Sequence, residues 1–333
     1  MLIFEPIYYR DFRCIASECP DSCCKEWEVQ VDEKSAALYR SLAGPLGERL
    51  RAVMRDDPEW GTVMVNEQGK CPMWRQDGLC RIHAELGHDA LCKTCRDFPR
   101  LCHDYGSFQE FGLELSCPEA ARLILTSSDT MMHAYEVDGG EEPDYDEEAM
   151  ALLLESRKTA LKLLYDPRFS VQEALTLLLY YGYQVQAELD GAEAPDFVPE
   201  KILTEAACMM SPVAAQPLPE FFLGLEILTE EWKTRLQTPA EPGEWSDVFR
   251  NLARYGMERY WLQAVSDYDL VSRVKMIVVS CLLVRQLGGD VVVTAQLYSK
   301  EIENNADNVD AILDGTYTHP ALTDVNLLGM LLH

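Results

Sequence analysis

The chain has 333 residues, 47% of them hydrophobic and 26% charged, and its 56 acidic against 29 basic side chains give a net charge of −27. This is the composition of a globular protein, which excludes global disorder, and the length suits two domains or one large one. About −8 falls on the first 137 residues and about −19 on the rest, so no basic stripe exists to displace counterions from phosphates; nucleic acid and anionic membrane are excluded as main partners, and a Lys-bearing protein suits this surface better.

The chain opens on MLIFEPIYYRDFRC, which has neither the basic start nor the apolar run of a secretory signal, so a cytoplasmic location is expected. In that reducing compartment twelve cysteines are not expected to form structural disulfides. Ten of them, Cys14, Cys19, Cys23, Cys24, Cys71, Cys80, Cys92, Cys95, Cys102 and Cys117, lie in the first 117 residues. Random core usage would not empty two thirds of a chain of thiols. Cys208 and Cys281 sit among helical apolar residues and read as inert buried thiols.

Between the cysteines run short amphipathic pieces, at 33–54 and at 118–128, in a text rich in Gly and Pro. Residues 138–148, DGGEEPDYDEE, read as an acidic linker. Beyond it the period turns helical. A helix is expected over 147–166, stopping before Pro167, and another after Ser170, whose Glu173 three residues on completes a capping box. Further helices are expected near 219–236, 244–264, 268–287, 291–305 and 320–332, separated by Pro-rich connectors at 195–199, 212–219 and 239–242. The apolar run 276–284 is too short for the ~20 residues that span a bilayer. The expected fold is mainly α: a cysteine-rich, loop-rich metal- or cluster-binding domain over 1–137, followed by an acidic α-helical bundle domain over 138–333.

The cysteines read C-x4-C-x3-CC, then CPMWRQDGLCRIH, LCKTCRDFPRLC and LSCPE. Thiolates bind soft metals, and loops rich in Gly and Pro let several converge. Cys92 and Cys95 form a C-x2-C pair able to reach one metal from a single turn. Ten thiols exceed the four of one zinc site or one cluster, so either two sites exist or some cysteines only support the ligands. His83 is an alternative ligand, or else a hydrogen-bonded structural histidine.

The segments EPIYYRDFRCIASECPDSCCKEWEVQVD, CPMWRQDGLCRIHAELGHDALCKTCRDFPR and LELSCPEAARLIL resemble the flagellin lysine-N-methylase family, whose cysteine pattern belongs to a wider group of zinc- or iron-chelating domains. The resemblance is dense over residues 5–125 and looser in FRNLARYGMERYWLQAV and VKMIVVSCLLVRQL. It implies methyl transfer from S-adenosylmethionine to lysines of flagellin or another Lys-bearing protein. It also implies an iron–sulfur cluster, of [4Fe–4S] type, held by a subset of the ten N-terminal cysteines, with zinc as the alternative metal.

Two motifs are absent from the sequence: no G-x-G occurs, and Cys19 and Cys23 have no cysteine at 26 to complete the C-x3-C-x2-C of radical enzymes. Lysine methylation by polar displacement needs a neutral amine aligned with the methyl group and shielded from water. Tyr8, Tyr9, Tyr180, Tyr181 and Tyr183 are candidates to take an amine proton or surround a cation. Arg96 and Arg100 are candidates to bind the cofactor's carboxylate, with Asp97 as orienter. The competing readings are a non-catalytic zinc- or iron-binding interaction module and a maturation protein that carries a metal to another target.

Overall fold

A computed structural model of the chain describes residues 1–25, 27–127, 129–208 and 217–332. It is mainly α, as expected, but carries two small sheets that the loop-rich reading of the first part did not anticipate. The strands are β1 (Leu2–Pro6), β2 (Val29–Gln30), β3 (Met54–Asp57), β4 (Gly61–Met64), β5 (Arg100–Asp104), β6 (Phe108–Leu113) and β7 (Met132–Glu136). One sheet has the order β5-β6-β1-β7 and the other β2-β4-β3. In the first, β1 runs parallel to β6, with Phe4 opposite Glu110, and antiparallel to β7, with Phe4 opposite Ala134. These strands are short and interrupt their apolar alternation with charge, which is why periodicity alone passes over them.

The helical part follows its sequence signals closely. Helix Glu147–Leu164 stops short of Pro167, and helix Val171–Leu189 starts at Ser170 with the reciprocal Ser170 and Glu173 capping contacts in place. The expected 33–54 piece is two helices, Glu33–Ser41 and Gly44–Val53; the second starts with Pro45 in its first turn, where the missing N–H costs nothing. The expected helix over 219–236 is also two, Leu218–Phe222 and Glu230–Gln237. The last helical stretch differs most. Helix Val291–Tyr298 passes into a π-helical turn, Ser299–Glu303, and a separate helix, Ala306–Thr318, follows behind an Asn305 cap. Residues 212–216 of the expected connector at 212–219 lie outside the described residues.

Helix Leu270–Leu287 is buried on nearly every side, including Arg273 and Lys275. Its apolar run therefore belongs to the centre of the bundle, and among the described residues no helix is long and apolar enough to cross a membrane. Lys275 donates to the Thr316 carbonyl and pairs with Asp324 at 3.1 Å. Cys281 is fully buried here, and burial pushes its thiol up to about 12. Cys208, by contrast, is exposed at the end of helix Pro199–Cys208, which corrects the expectation of a buried thiol: its helix turns Ile202 and Ala206 inward and leaves position 208 on the outer face.

Two buried clusters result. The larger joins the helical part to Tyr8, Phe12, Phe108, Leu113, Leu115 and helix Pro118–Thr126. The smaller is built from residues 29–92 alone and includes Tyr39, Leu50, Met73 and Cys92.

Helix Asp247–Tyr260 ties the larger cluster together with polar side chains. Arg254 is fully buried and donates to the carbonyls of Ile124, at 2.9 Å, and Asp129, at 2.5 Å. Asn251 donates to Leu125 at 2.7 Å, and Arg250 to the carbonyls of Leu164 and Phe169. One helix thus satisfies the exposed C-terminal carbonyls of two others and places positive charge at their negative dipole ends. Arg254 also lies 5.6 Å over the Tyr8 ring and 3.7 Å from Glu258, which accepts from the Tyr8 hydroxyl at 2.9 Å. Replacing Arg254 by Met would strand these groups without a partner, so Arg254→Met is expected to lose about 3–5 kcal/mol of stability. Urea unfolding with an unchanged slope checks this, and a loss within about 1 kcal/mol would reject it.

Candidate functional site

Six of the ten N-terminal cysteines, Cys23, Cys24, Cys71, Cys80, Cys92 and Cys95, line one tight cavity. The remaining walls are apolar, with Val29, Met64, Ile82 and Leu91 among them, and Tyr39 closes one side with its hydroxyl bonded to the Ala90 carbonyl at 2.7 Å. Three chain segments bring the sulfurs together. Cys71 N–H donates to the Cys24 carbonyl at 2.8 Å, which fixes the second segment on the first. A tight turn joins Cys71 to Cys80, with Trp74 N–H bonded to the Cys71 carbonyl and Trp74 bridged to Cys80. Cys92 precedes helix Lys93–Asp97 and Cys95 lies in its first turn, so both sulfurs face the same way; Asp32 anchors that helix by accepting from Lys93 N–H at 2.7 Å.

The thiols are free, and their proximity divides them by charge. The Cys24 thiol stabilises the thiolates of Cys23 and Cys71, holding both below the usual thiol range against the cost of burial. Its own proton is held correspondingly tightly. Cys95 plays the same part toward Cys92. Cys80 is pushed up by burial, partly offset by the N–H groups of His83 and Ile82.

A sulfur-only donor set in an apolar pocket, without competing oxygens, fits a soft metal or an iron–sulfur centre. The six cysteines of this cavity are the residues able to hold one. Among the described residues no three His, Cys, Asp or Glu side chains are already arranged as a metal-ion site. A metal held here would have to displace the thiol protons.

The other sequence candidates lie elsewhere. Cys14, Cys19 and Cys117 are within electrostatic reach of one another but do not border this cavity; burial raises Cys19 and pushes Cys117 up to about 12. Cys102 is exposed on β5. His83 is exposed on helix Arg81–Leu86, its ring 6.0 Å from that of His88. Arg96 reaches back to the Leu91 carbonyl and lies 3.7 Å from Asp97, and Arg100 stacks over Phe12 and Tyr9.

None of the five tyrosines lines the thiol cavity. Tyr8 borders a separate tight cavity of about 360 Å³ with His103, Glu110, Tyr255, Glu258 and Arg259. Burial there raises Tyr8 and Glu258 and lowers His103. Tyr9 packs on Phe111, Tyr181 on Phe197, Tyr183 donates to Asp324 at 2.6 Å, and Tyr180 packs against the larger core.

Cys23 also borders a second, open cleft, which sequence reading missed. One wall is formed by Asp21, Ser22, Cys23, Lys25 and Trp27 with Phe98; the other is formed by Glu226, Leu228 and the π-helical turn with Lys300 and Glu301. Asp21 joins the walls, accepting from Lys25 at 3.2 Å and from Lys300 at 3.1 Å. The two walls are more than 100 residues apart in sequence and carry no shared motif, so nothing in the chain signals their meeting.

The chain is 32% identical over 138 residues to the flagellar biosynthetic protein FliU of Salmonella muenchen, an alignment that covers 39% of this chain and 80% of that protein. It is likewise 32% identical over 138 residues to the lysine-N-methylases of Salmonella choleraesuis and Salmonella typhimurium, again over 39% of this chain. The match spans about a third, 34%, of the length of each of those two. No family model and no solved structure matches. The chain belongs to the flagellin lysine methylase family.

The division of protons among the sulfurs has a chemical consequence, because the thiolate is the nucleophile. In metal-free protein at about pH 7, below the ordinary thiol pKa of ~8.5, iodoacetamide is expected to modify Cys23 before Cys19 and Cys117. Peptide mass spectrometry against time gives the order. Cys117 reacting first would contradict the assignment.

Proposed function

We propose that the chain is a protein-lysine N-methyltransferase that uses S-adenosylmethionine and acts on flagellin or another Lys-bearing protein. It would carry a metal centre, an iron–sulfur cluster with zinc as the alternative, on Cys23, Cys24, Cys71, Cys80, Cys92 and Cys95. The observation that carries this reading is the convergence of six free thiols on one apolar cavity, in a chain whose relatives include proteins named lysine-N-methylase.

S-adenosylmethionine, when bound, supplies the methyl group as an electrophile. The chain's task is to hold the target amine neutral, in line with that group and away from bulk water. The acidic surface suits capture of a Lys-rich partner, and a capture step of that kind weakens as salt screens the charges. A centre at the cavity would also stabilise the small cluster of residues 29–92, because metal binding adds its free energy to folding.

The test begins with anaerobic purification and metal analysis. Iron with broad absorption near ~400 nm is expected for a cluster, and colourless zinc-bearing protein for the alternative. Ser substitutions at Cys23, Cys71 or Cys92 should lower bound metal, and Cys281→Ser should not. Metal-loaded protein given S-adenosylmethionine and unmethylated flagellin should add methyl groups to lysines and release S-adenosylhomocysteine, faster as pH rises and more amine is neutral. Metal-loaded protein that methylates neither flagellin nor any lysate protein overturns the enzyme reading in favour of a non-catalytic metal module.

A further inference from the structure

The open cleft beside the thiol cavity has a lining of mixed and specific chemistry. Trp27 and Phe98 place two aromatic rings on one wall, 6.2 Å between centroids and tilted by 56°. Trp27 is held there by its indole N–H, which donates to the Cys23 carbonyl at 2.7 Å, and it remains 36% exposed. Two ammonium groups, Lys25 and Lys300, share the carboxylate of Asp21. On the far wall stand the carboxylates of Glu226 and Glu301, the latter buried and bonded to Leu228 N–H at 2.8 Å and to the Thr229 hydroxyl.

The far wall is also the irregular part of its helix. The π-helical turn Ser299–Glu303 gives up regular α geometry, a departure that is found frequently at functional sites. It directs Lys300 toward Asp21 and turns Glu301 inward to Thr229. Cys23 belongs to this lining and to that of the thiol cavity, so a molecule in the cleft would touch the edge of a centre held by the sulfurs.

We infer that this cleft binds the methyl donor, with the purine on Trp27 and Phe98 and the amino-acid end among Lys25, Lys300, Glu226 and Glu301. This rests on the methyltransferase reading. A zwitterionic amino acid needs opposite charges close together, and a purine needs an aromatic face; the cleft offers both.

The test is binding of S-adenosylhomocysteine to the full, anaerobically purified chain, measured by calorimetry and by tryptophan fluorescence. Trp27→Leu and Lys300→Met are each expected to weaken binding about tenfold or more, which is 1.4 kcal/mol. Bound metal and circular dichroism should be unchanged, and Lys300→Arg should keep most of the affinity. Should Lys300→Met disturb the junction that Asp21 makes, Trp27→Leu decides, because Trp27 faces solvent. If the wild-type chain binds S-adenosylhomocysteine and both variants bind it equally well, the cleft assignment is overturned and the methyltransferase reading stands. A metal-loaded wild-type chain that neither binds it nor methylates any lysine overturns both.

Discussion

The structure depends on the way helix Asp247–Tyr260 uses polar side chains in the middle of an apolar core. A buried guanidinium is costly unless its donors are satisfied, and a buried helix C-terminus is costly unless its carbonyls are. Arg250, Asn251 and Arg254 resolve both at once, meeting the last carbonyls of helices Pro118–Thr126 and Glu147–Leu164. Because Arg254 and Glu258 also hold Tyr8, the same helix fixes the start of the chain and hence β1 and its sheet. A second buried pair, Arg157 with Glu110 at 2.8 Å, pins β6 to the helical part. The position of the sheet relative to the bundle is thus set by charge-assisted contacts whose geometry tolerates little displacement.

The thiol cavity owes little to that framework. Its walls come from residues 23–95, and its own small core supports it. The open cleft is different in kind, since its two walls belong to the two parts and are joined through Asp21, Lys300 and Gln296, which donates to Asp21 at 3.3 Å. A centre in the cavity and a ligand in the cleft would therefore be held by separate structures that meet at Cys23. Chemistry that needs both depends on that junction.

Much of the helical part was legible in the sequence because its signals are local. The Ser170 and Glu173 box, the stop before Pro167 and the apolar period of 270–287 each act within a few residues. The π-helical turn was not legible, because one extra residue per turn leaves no mark on composition. The sheets were missed because β1 pairs with β6, about a hundred residues later, and such pairing has no local signature. For the site, clustering singled out the ten N-terminal cysteines, and spacing alone does not divide the six that share the cavity from Cys14, Cys19, Cys102 and Cys117. That division is made by the turns after Cys71 and before Cys92. Cys208 looked apolar in its setting, yet which face of a short helix is turned inward is decided by its neighbours in space.

The parallel pairing of β1 with β6 has a consequence for how the protein assembles. Parallel strands cannot be joined by a hairpin, so the chain between Pro6 and Arg100, the thiol cavity included, forms one long excursion that must return before the sheet can close. Bringing distant strands together is entropically slow, whereas the core of residues 29–92 is made of nearer contacts and matures first. The order of events is then a nascent thiol pocket, still reachable from solvent, followed by closure of the sheet and docking of the helices.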